Sequence, residues 1–305
     1  MDALFEAYRA ELINKIEAKH EEDGVIKTGI PTLSFYYSKS TTEFATVIYE
    51  PSLCLVLQGS KAVILGEDNY SYDPSRYLLA SIHMPSRVRI MEASDQKPYI
   101  SLKLTFTMED IFEVMKEIDT KPRVTSPTSP ELGLCFGDMS VSIIDPLSRL
   151  VRLLDTPNNI KFMAPMIIKE ILYHVMTDKG GDFLRKYLMD GSIVQQIVKV
   201  ITKIKQDFAE NLNMKELAKS YGMSESSLYH NFKKVTMLSP LQFQKTLRLE
   251  EARRMLLTQD LEATEIAFAV GYESPSQFSR EYARMFGLPP KAYAKVAQDD
   301  SEGIA

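Results

Sequence analysis

Polar side chains are present in both copies of an internal repeat near the C-terminal end of the sequence. The second copy holds Gln277 and Arg280, and the first holds Tyr229, His230 and Lys233. Arginine can pair bidentately with the major-groove edge of guanine, and glutamine can pair in the same way with adenine. This set of residues therefore predicts chemistry directed at the base edges of double-stranded DNA.

The repeat predicts two helix-turn-helix units, at about 213–235 and 262–285. The matched positions are Leu217, Ala218, Ser220 and Gly222 with Ile266, Ala267, Ala269 and Gly271, then Leu228, Phe232 and Pro240 with Phe278, Tyr282 and Pro290. The alanine lets two helices approach closely, and the glycine can take the positive φ of a sharp turn. Ser224 can cap the second helix of the first unit, and Ser274 followed by Pro275 that of the second. One such segment occurs by chance in many helical bundles, but two copies in register favour a real duplication.

Helical spacing separates two faces in the second helix of each unit. The pairs Leu228 with Phe232 and Phe278 with Tyr282 are four residues apart, so we predict that they pack inward. The outward residues are then Ser226, Tyr229, His230 and Lys233 in the first unit, and Ser276, Gln277, Ser279 and Arg280 in the second. Lys233, Lys234 and Arg284 suit phosphate contacts, although a solvated face would contain the same lysines and His230 could be an ordinary surface histidine. The first helix is poor in arginine, so we expect the second helix, or DNA shape, to carry much of the sequence preference.

A long helix should join the two units. Ser239 and Pro240 predict its start, and it should run to about Leu257. Its predicted buried side consists of Leu241, Leu247, Ala252, Met255 and Leu256, and its polar side of Arg248, Arg253 and Arg254. About 18 helical residues span about 27 Å. This length could hold two recognition helices about one DNA turn, or roughly 34 Å, apart.

These motifs resemble the AraC/XylS family of bacterial transcription regulators. Residues 193–295 are similar to the DNA-binding domain of that family, most specifically at Leu247–Leu257 and Gly271–Arg280. Two departures are Met237, where the family usually has glycine, and Ala294, where arginine is usual. The first bears on a helix C-cap and the second on a phosphate contact. Pro51–Lys61 and Tyr70–Pro85 resemble the AraC-type N-terminal regulatory domain, a cupin-like β-barrel followed by helices.

The resemblance implies a sequence-specific transcription regulator without catalytic activity or cofactor. The two cysteines, too few for a disulfide scaffold, favour a cytoplasmic location. Its expected partners are promoter or operator DNA, a small-molecule effector in the N-terminal domain, RNA polymerase if it activates, and a second copy of the chain. Two alternatives remain open: a cupin-like enzyme fused to a DNA-binding module, and a constitutive DNA binder without an effector.

The N-terminal part of the sequence supports a β-barrel or sandwich at about 25–107 and helices at about 108–190, within a predicted domain 1–190. Residues 191–297 would form the DNA-binding domain. Short β-branched or aromatic runs bounded by turn residues predict the strands. Leu53–Leu57 and Ala62–Gly66 around Gly59 predict a β-hairpin. Helical stripes are predicted at residues 1–20, through Leu4, Tyr8, Leu12 and Ile16, and at 111–118, 145–155, 161–178 and 182–189, with a loop at 121–130.

The helices at 145–178 carry two apolar stripes, which are Leu147, Leu150, Val151 and Leu154, then Met163, Met166, Ile167, Ile171 and Val175. They could simply cover the barrel. The family resemblance favours a homodimer interface here.

Composition and charge narrow the class of protein. The 305 residues are 45% hydrophobic and 25% charged, which excludes wholesale disorder. The net charge of −5 is uneven: residues 193–295 carry 15 Lys and Arg against 11 Asp and Glu, whereas residues 1–192 carry 21 against 27. A mildly basic segment permits nucleic-acid binding. Charged residues throughout the first helix exclude a signal peptide there, and we expect no membrane segment.

The candidate effector residues are polar groups on the predicted strands. They are Tyr49, Tyr72, His83, Arg87 and Arg89, chosen from a set that also includes Lys61, Ser81 and Lys103. About half of such positions must face solvent. Arg87 and Arg89 share a face and could bind an anion, although ordinary surface charges are the favoured interpretation.

Metal and cysteine chemistry are weaker expectations. The four histidines are scattered, so we expect no metal site. Two cysteines cannot build a disulfide scaffold. Cys54 should be a buried core residue, and Cys135, which follows a loop, is the candidate for a redox or electrophile sensor.

Overall fold

The structure is a computed structural model that describes residues 2–18, 22–65, 68–118, 133–178, 180–181, 183–184, 192–259 and 261–295. It divides into two compact units, Met1–Gln195 and Gln196–Ala305. No helix in these ranges is both long and apolar enough to cross a membrane.

The described part of the N-terminal unit contains helix α1 (Ala3–Glu17), two antiparallel sheets and further helices that follow the strands. The strands are β1 (Gly24–Lys27), β2 (Leu33–Ser38), β3 (Ala45–Tyr49), β4 (Ser52–Gln58), β5 (Ser60–Leu65), β6 (Asp68–Tyr72), β7 (Arg76–Ala80), β8 (Met84–Glu92), β9 (Tyr99–Thr105) and β10 (Leu134–Asp138). One sheet has the order β1-β2-β9-β4-β7-β10 and the other β3-β8-β5-β6. The two sheets confirm the β-rich class expected for the first part of the chain.

Side chains alternate between a buried and an exposed face along the strands. In β8, Ser86, Val88 and Ile90 are buried, whereas Arg87 is exposed and Arg89 half-exposed. Strand β5 places Lys61 opposite Tyr72 of β6 and Ile90 of β8. Lys61 is therefore in register with residues whose side chains point into the unit.

The predicted hairpin around Gly59 is wrong. Strand β4 pairs with β7 and β9, and β5 pairs with β6 and β8, so the two strands belong to different sheets. Gly59 has φ +82°, and a Cβ there would lie 2.4 Å from the carbonyl oxygen of Glu92. The glycine therefore forms a corner between sheets, where the close approach of another strand excludes a side chain.

Helices cover the sheets through apolar faces that only partly follow the predicted stripes. They are α2 (Met108–Glu117), α3 (Val141–Arg152), followed by a 3₁₀ turn at Leu153–Asp155, and α4 (Pro157–Thr177). In α1, Leu4 was predicted to be buried but is exposed, and Phe5 is buried in its place. In α4, Ile167, Ile171 and Val175 are buried as predicted, but Met163 and Met166 are exposed. The predicted loop at 121–130 and most of the predicted helix at 182–189 lie outside the described residues.

The C-terminal unit is helical. Its helices are α5 (Ile193–Gln206), which begins just before the division between units, α6 (Met214–Ser220), α7 (Glu225–Thr236), α8 (Pro240–Thr258), α9 (Ala263–Ala269) and α10 (Pro275–Phe286), with a final helical turn at 290–295. Asn213 caps α6 by accepting from the backbone of Lys215 and Glu216. Ser224, Ser239 and Ser274 cap α7, α8 and α10.

The two helix-turn-helix cores share the long helix α8. Leu228 and Phe232 are completely buried, and the Phe232 ring meets the Phe243 ring of α8 edge to face at 5.4 Å. Phe278 and Tyr282 are buried in the second core, with Leu249, Ala252 and Leu256 of α8. The inward pairs are therefore confirmed. Leu241, predicted to be buried, is 50% exposed. Phe243 and Gln244 are buried instead, because the buried face of α8 is set by its contacts with both helix-turn-helix motifs.

Candidate functional site

The second helix of each unit presents an outward polar face. On α7, Ser226, His230 and Lys233 are exposed and Tyr229 is half-exposed. On α10, Ser276, Gln277 and Arg280 are exposed and Ser279 is half-exposed. The eight predicted DNA-contacting side chains thus lie opposite the buried pairs of their helices, and their contacts with DNA stay a prediction.

Positive-φ residues shape both turns and both helix ends. Gly222 has φ +72° and Gly271 φ +88°, as the turn of each unit requires. Helix α10 ends at Gly287 with φ +84°. At the matched end of α7, Met237 takes φ 60°, and its N–H donates to the carbonyl of Lys233. The left-handed C-cap is therefore formed without glycine, at the steric cost that a Cβ carries in this region.

Arg248 anchors α8 to the chain that follows α5. Its guanidinium donates to the carbonyls of Phe208 at 2.7 Å, Ala209 at 3.2 Å and Glu210 at 2.9 Å. Gln244 donates to the carbonyls of Phe208 and Glu210 as well. Burial lowers the pKa of Arg248 from its ordinary value. Arg248 is half-buried on the side of α8 that was predicted to be polar, and its charge satisfies backbone carbonyls that lie beyond the end of α5.

Glu281 holds part of the α10 surface in place. Its carboxylate accepts from the Tyr272 hydroxyl at 2.8 Å, the Lys245 ammonium at 3.0 Å and the Gln277 amide at 3.3 Å. Burial acts to raise the pKa of Glu281, but these three bonds prevail and lower it. Sequence reasoning did not identify this residue, although the Gln277–Glu281 spacing of one helical turn is a readable signal.

The N-terminal unit contains a cavity of about 300 Å³ between its sheets. Aliphatic side chains, including Val47, Val88 and Ile90, form much of its wall. The polar groups that line it are Ser34, Tyr36, Thr42, Tyr49, Glu50, Cys54, Lys61, Tyr72, Arg89, Tyr99, Ser101 and Lys103. A cavity that combines apolar walls with polar groups pointing into it is the usual form of a small-molecule site.

Three of the five predicted effector residues line this cavity. They are Tyr49, Tyr72 and Arg89, whereas Arg87 and His83 are not part of its lining. The guanidiniums of Arg87 and Arg89 lie 5.3 and 5.1 Å from the centre of the Phe44 ring. Arg87 is exposed and Arg89 is half-exposed, which supports the view that Arg87 is a surface charge.

Buried polar groups inside the cavity are incompletely satisfied. The hydroxyls of Tyr49 and Tyr99 are buried and form no hydrogen bond of good geometry with the described residues, although Tyr72 lies near the first and Ser101 near the second. Burial raises the pKa of Tyr49, Tyr72 and Tyr99 well above the ordinary value, so these side chains are neutral phenols at neutral pH. Burial also lowers the pKa of the Lys61 ammonium. Orphaned buried hydroxyls are uncommon in native proteins and call for a partner.

The structure bears on the predictions for the two cysteines and for a metal site. Cys54 is buried as predicted, and burial raises the pKa of its thiol, which disfavours the reactive thiolate. Cys135 is half-buried in β10. Among the described residues, which do not include His20, no three His, Cys, Asp or Glu side chains are grouped as a metal site would require.

Comparison with protein families decides the relationship of the chain. Residues 29–183 match the model of the AraC-type transcriptional regulator N-terminus, and residues 217–295 match that of a helix-turn-helix domain. The chain belongs to the AraC-type transcriptional regulators. It therefore combines the N-terminal regulatory domain of this family with a DNA-binding helix-turn-helix region.

Individual AraC-type relatives agree with this membership. The chain is 23% identical to the lactose operon transcription activator of Staphylococcus xylosus over 96% of both chains. It is 32% identical to the uncharacterized regulator YobQ of Bacillus subtilis, where the match covers 33% of this chain and 42% of the relative. The crystal structure of unsaturated fatty acid-bound ToxT from Vibrio cholerae superposes with a TM-score of 0.62 at 14% identity, over 90% of this chain and 97% of ToxT. At that identity, ToxT establishes the shared fold.

Proposed function

We propose that this AraC-type regulator places α7 and α10 in two successive major grooves and that a small molecule in the barrel cavity changes its affinity for DNA. The observation that carries the proposal is the pair of matched helix-turn-helix units joined by α8. Each unit buries its apolar pair and leaves a polar face exposed. The 19 residues of α8 span about 28 Å, which is comparable with the roughly 34 Å of one DNA turn.

Base recognition is assigned mainly to α10. Arg280 suits guanine and Gln277 suits adenine, and both side chains are exposed. Ser226, Tyr229, His230, Ser276 and Ser279 complete the contact set. Lys233, Lys234 and Arg284 suit phosphate oxygens, where they would set affinity and its salt dependence rather than sequence preference.

The effector is assigned to the cavity through Tyr49, Tyr72 and Arg89. Its apolar wall and orphaned hydroxyls are what a bound molecule would complete, and the ToxT structure contains a fatty acid within the same fold. Control requires different ligand affinities for the two arrangements of the protein, since a ligand that binds both equally shifts nothing. His83 and Arg87 lie off the cavity wall, so any effect of theirs would be indirect.

The described part of α4 offers a surface for a homodimer. Phe162, Met166 and Tyr173 are 73%, 56% and 46% exposed and recur along one side of the helix. Phe112 of α2 is exposed as well, and α2 is tied to α4 by the Lys169–Glu113 ion pair at 2.6 Å. Exposed apolar residues grouped in this way typically mark a protein interface. We assign the face to a second copy of the chain.

The remaining partners follow from regulation of transcription. An activator would also contact RNA polymerase, and the working compartment would be the cytoplasm, where bacterial promoters are. The relatives are named as regulators, and we assign no catalytic step to the chain.

Selection of genomic fragments by the purified protein tests the proposal directly. At about 150 mM salt, nonspecific phosphate binding is suppressed. The expected result is one motif with two half-sites about one helical turn apart. Fragments enriched without a shared motif would contradict sequence-specific binding by the two units.

A small-molecule screen tests the regulatory half. A ligand that binds the folded protein raises its melting temperature. A hit should also change the affinity for the selected fragment. Hits that shift melting and never alter DNA affinity would argue for a constitutive DNA binder.

A further inference from the structure

One cation that lines the cavity of the N-terminal unit has no carboxylate partner in the part of the chain that the structure describes. Lys61 forms no ion pair with the described residues, whereas Lys103, which also lines the cavity, is paired with Glu50 at 2.8 Å. The Lys61 ammonium lies 5.9 Å from the centre of the Tyr49 ring. Lys61 is half-buried. A charge that is partly withdrawn from water without a partner is costly, so its position favours an anion.

The surroundings of Lys61 supply donors but little negative charge. Other charged and titratable groups line the same cavity. They are Tyr36, Tyr49, Glu50, Cys54, Tyr72, Arg89, Tyr99 and Lys103. The carboxylate of Glu50 is already held by Lys103, and the buried tyrosines are neutral. Two of their hydroxyls, those of Tyr49 and Tyr99, form no hydrogen bond of good geometry with the described residues.

We infer that the cavity binds a small apolar monocarboxylate whose anionic group pairs with Lys61 and accepts hydrogen bonds from the tyrosine hydroxyls. The inference rests on the proposed function, because it names the class of effector for that cavity. The apolar body would pack on Val47, Val88 and Ile90. At roughly 30 Å³ for each water-sized group, the cavity of about 300 Å³ suits a ligand of about ten non-hydrogen atoms.

Binding of such an acid must be coupled to the protonation of Lys61. Burial lowers the pKa of this lysine in the free protein, with the nearby Lys103 acting in the same direction and Cys54 in the opposite one. A bound carboxylate stabilises the ammonium and raises that pKa again. The complex therefore holds more protons than the free protein, and affinity should fall as pH rises above the pKa of free Lys61.

The probes are octanoate and 1-octanol, which match in chain length and differ in charge. With the full-length protein, calorimetry should detect octanoate and find 1-octanol weaker by about tenfold or more. Lys61→Met should lose about tenfold in octanoate affinity and retain its affinity for 1-octanol. Lys61→Arg should keep octanoate binding without the loss at high pH, because arginine does not deprotonate.

Arg87→Met is the matched control, since it removes a cation that does not line the cavity. It should bind octanoate as the unmodified protein does. The inference is overturned by equal binding of the two probes, by unchanged octanoate affinity in Lys61→Met when its melting curve shows a folded protein, or by no octanoate binding at about 1 mM.

Affinity for the selected DNA fragment separates this inference from the proposed function. If octanoate binds through Lys61 but leaves DNA affinity unchanged, the cavity binds a monocarboxylate as inferred, but the proposed control of DNA binding by the effector is wrong. If a neutral compound binds the cavity and alters DNA affinity, effector control stands and the ligand class is wrong.

Discussion

A Cβ atom on Gly271 would lie 2.0 Å from the carbonyl oxygen of Ala209. The same carbonyl accepts a hydrogen bond from Arg248. The turn of the second unit is therefore pressed against the chain that follows α5, which α8 holds in position. At the matched turn of the first unit, the nearest atom to a Cβ on Gly222 is the Gln196 side-chain nitrogen at 3.7 Å.

This difference predicts unequal effects of the same substitution. Gly271→Ala must combine positive-φ strain with a backbone clash and should destabilise the second unit by about 3 kcal/mol or more. Gly222→Ala has only the strain and should cost about 1 kcal/mol. In the full-length protein, hydrogen exchange of α9 and α10 measures the loss of stability in Gly271→Ala. Hydrogen exchange of α6 and α7 measures the loss in Gly222→Ala. Equal losses would show that the Ala209 carbonyl moves away freely.

Glu281 should stabilise the second unit above acidic pH. Its folded-state pKa is lowered, so the stabilisation is present above the ordinary glutamate value of about 4.3 and is lost as pH falls through the lower folded value. Glu281→Ala should lose about 1–2 kcal/mol near neutral pH, since the Tyr272 hydroxyl loses its acceptor. Thermal unfolding between about pH 3 and pH 7 checks this. The exposed Glu273→Ala serves as control, and a similar loss there would contradict the specific role of Glu281.

Arg280 should determine preference at one base position. Its guanidinium bonds to the Ser276 carbonyl of its own helix at 3.3 Å, so the group is already held on the exposed face. Arg280→Ala should weaken preference at a single base by about 1–3 kcal/mol, whereas Lys233→Ala should weaken binding to all sequences uniformly and reduce the salt dependence. Binding-site selection with both variants measures these effects. An unchanged base preference in Arg280→Ala would refute the assignment.

Local signals in the sequence were sufficient for the helix-turn-helix units. Serine caps, small residues and apolar pairs four apart act within one or two helical turns, and Leu228 with Phe232 lie inside as their spacing predicts. Contacts between residues that are distant in the sequence have no such local signal. Gly59 was interpreted as a hairpin glycine because its contact with Glu92 joins strands that are distant in sequence. The sequence places Arg248 on the polar side of α8 but does not indicate its partners, because the carbonyls it binds lie 38 to 40 residues earlier.

The cavity shows the same limit. Polar residues on strands could be named from the sequence, and Tyr49 and Tyr72 do line the cavity. Which alternate positions face inward depends on register and sheet order, and these place Lys61 inside and Arg87 outside.

Replacing Lys61 with methionine should stabilise the free protein. The substitution keeps a long apolar side chain and removes a cation that has no ion-pair partner among the described residues, so a gain of about 1–2 kcal/mol is expected near neutral pH. The folded-state pKa of Lys61 is lowered, so the unfolded chain binds more protons, and the stability of the unmodified protein rises with pH between the folded and unfolded values. The advantage of Lys61→Met should therefore shrink as pH rises toward about 10. Melting curves of both proteins at several pH values test this, and a constant difference would mean that Lys61 is well solvated.

The exposed face of α4 should control self-association. Phe162→Glu places a charge at an apolar position that is 73% exposed, so the monomer should fold normally while a dimer through this face is weakened by at least about 2 kcal/mol. Leu4→Glu, at an exposed apolar position on α1, is the control and should leave association unchanged. Sedimentation equilibrium measures both. A Phe162→Glu protein that dimerises like the unmodified chain would move the interface away from α4, because a buried glutamate in the centre of an apolar contact cannot be accommodated without that cost.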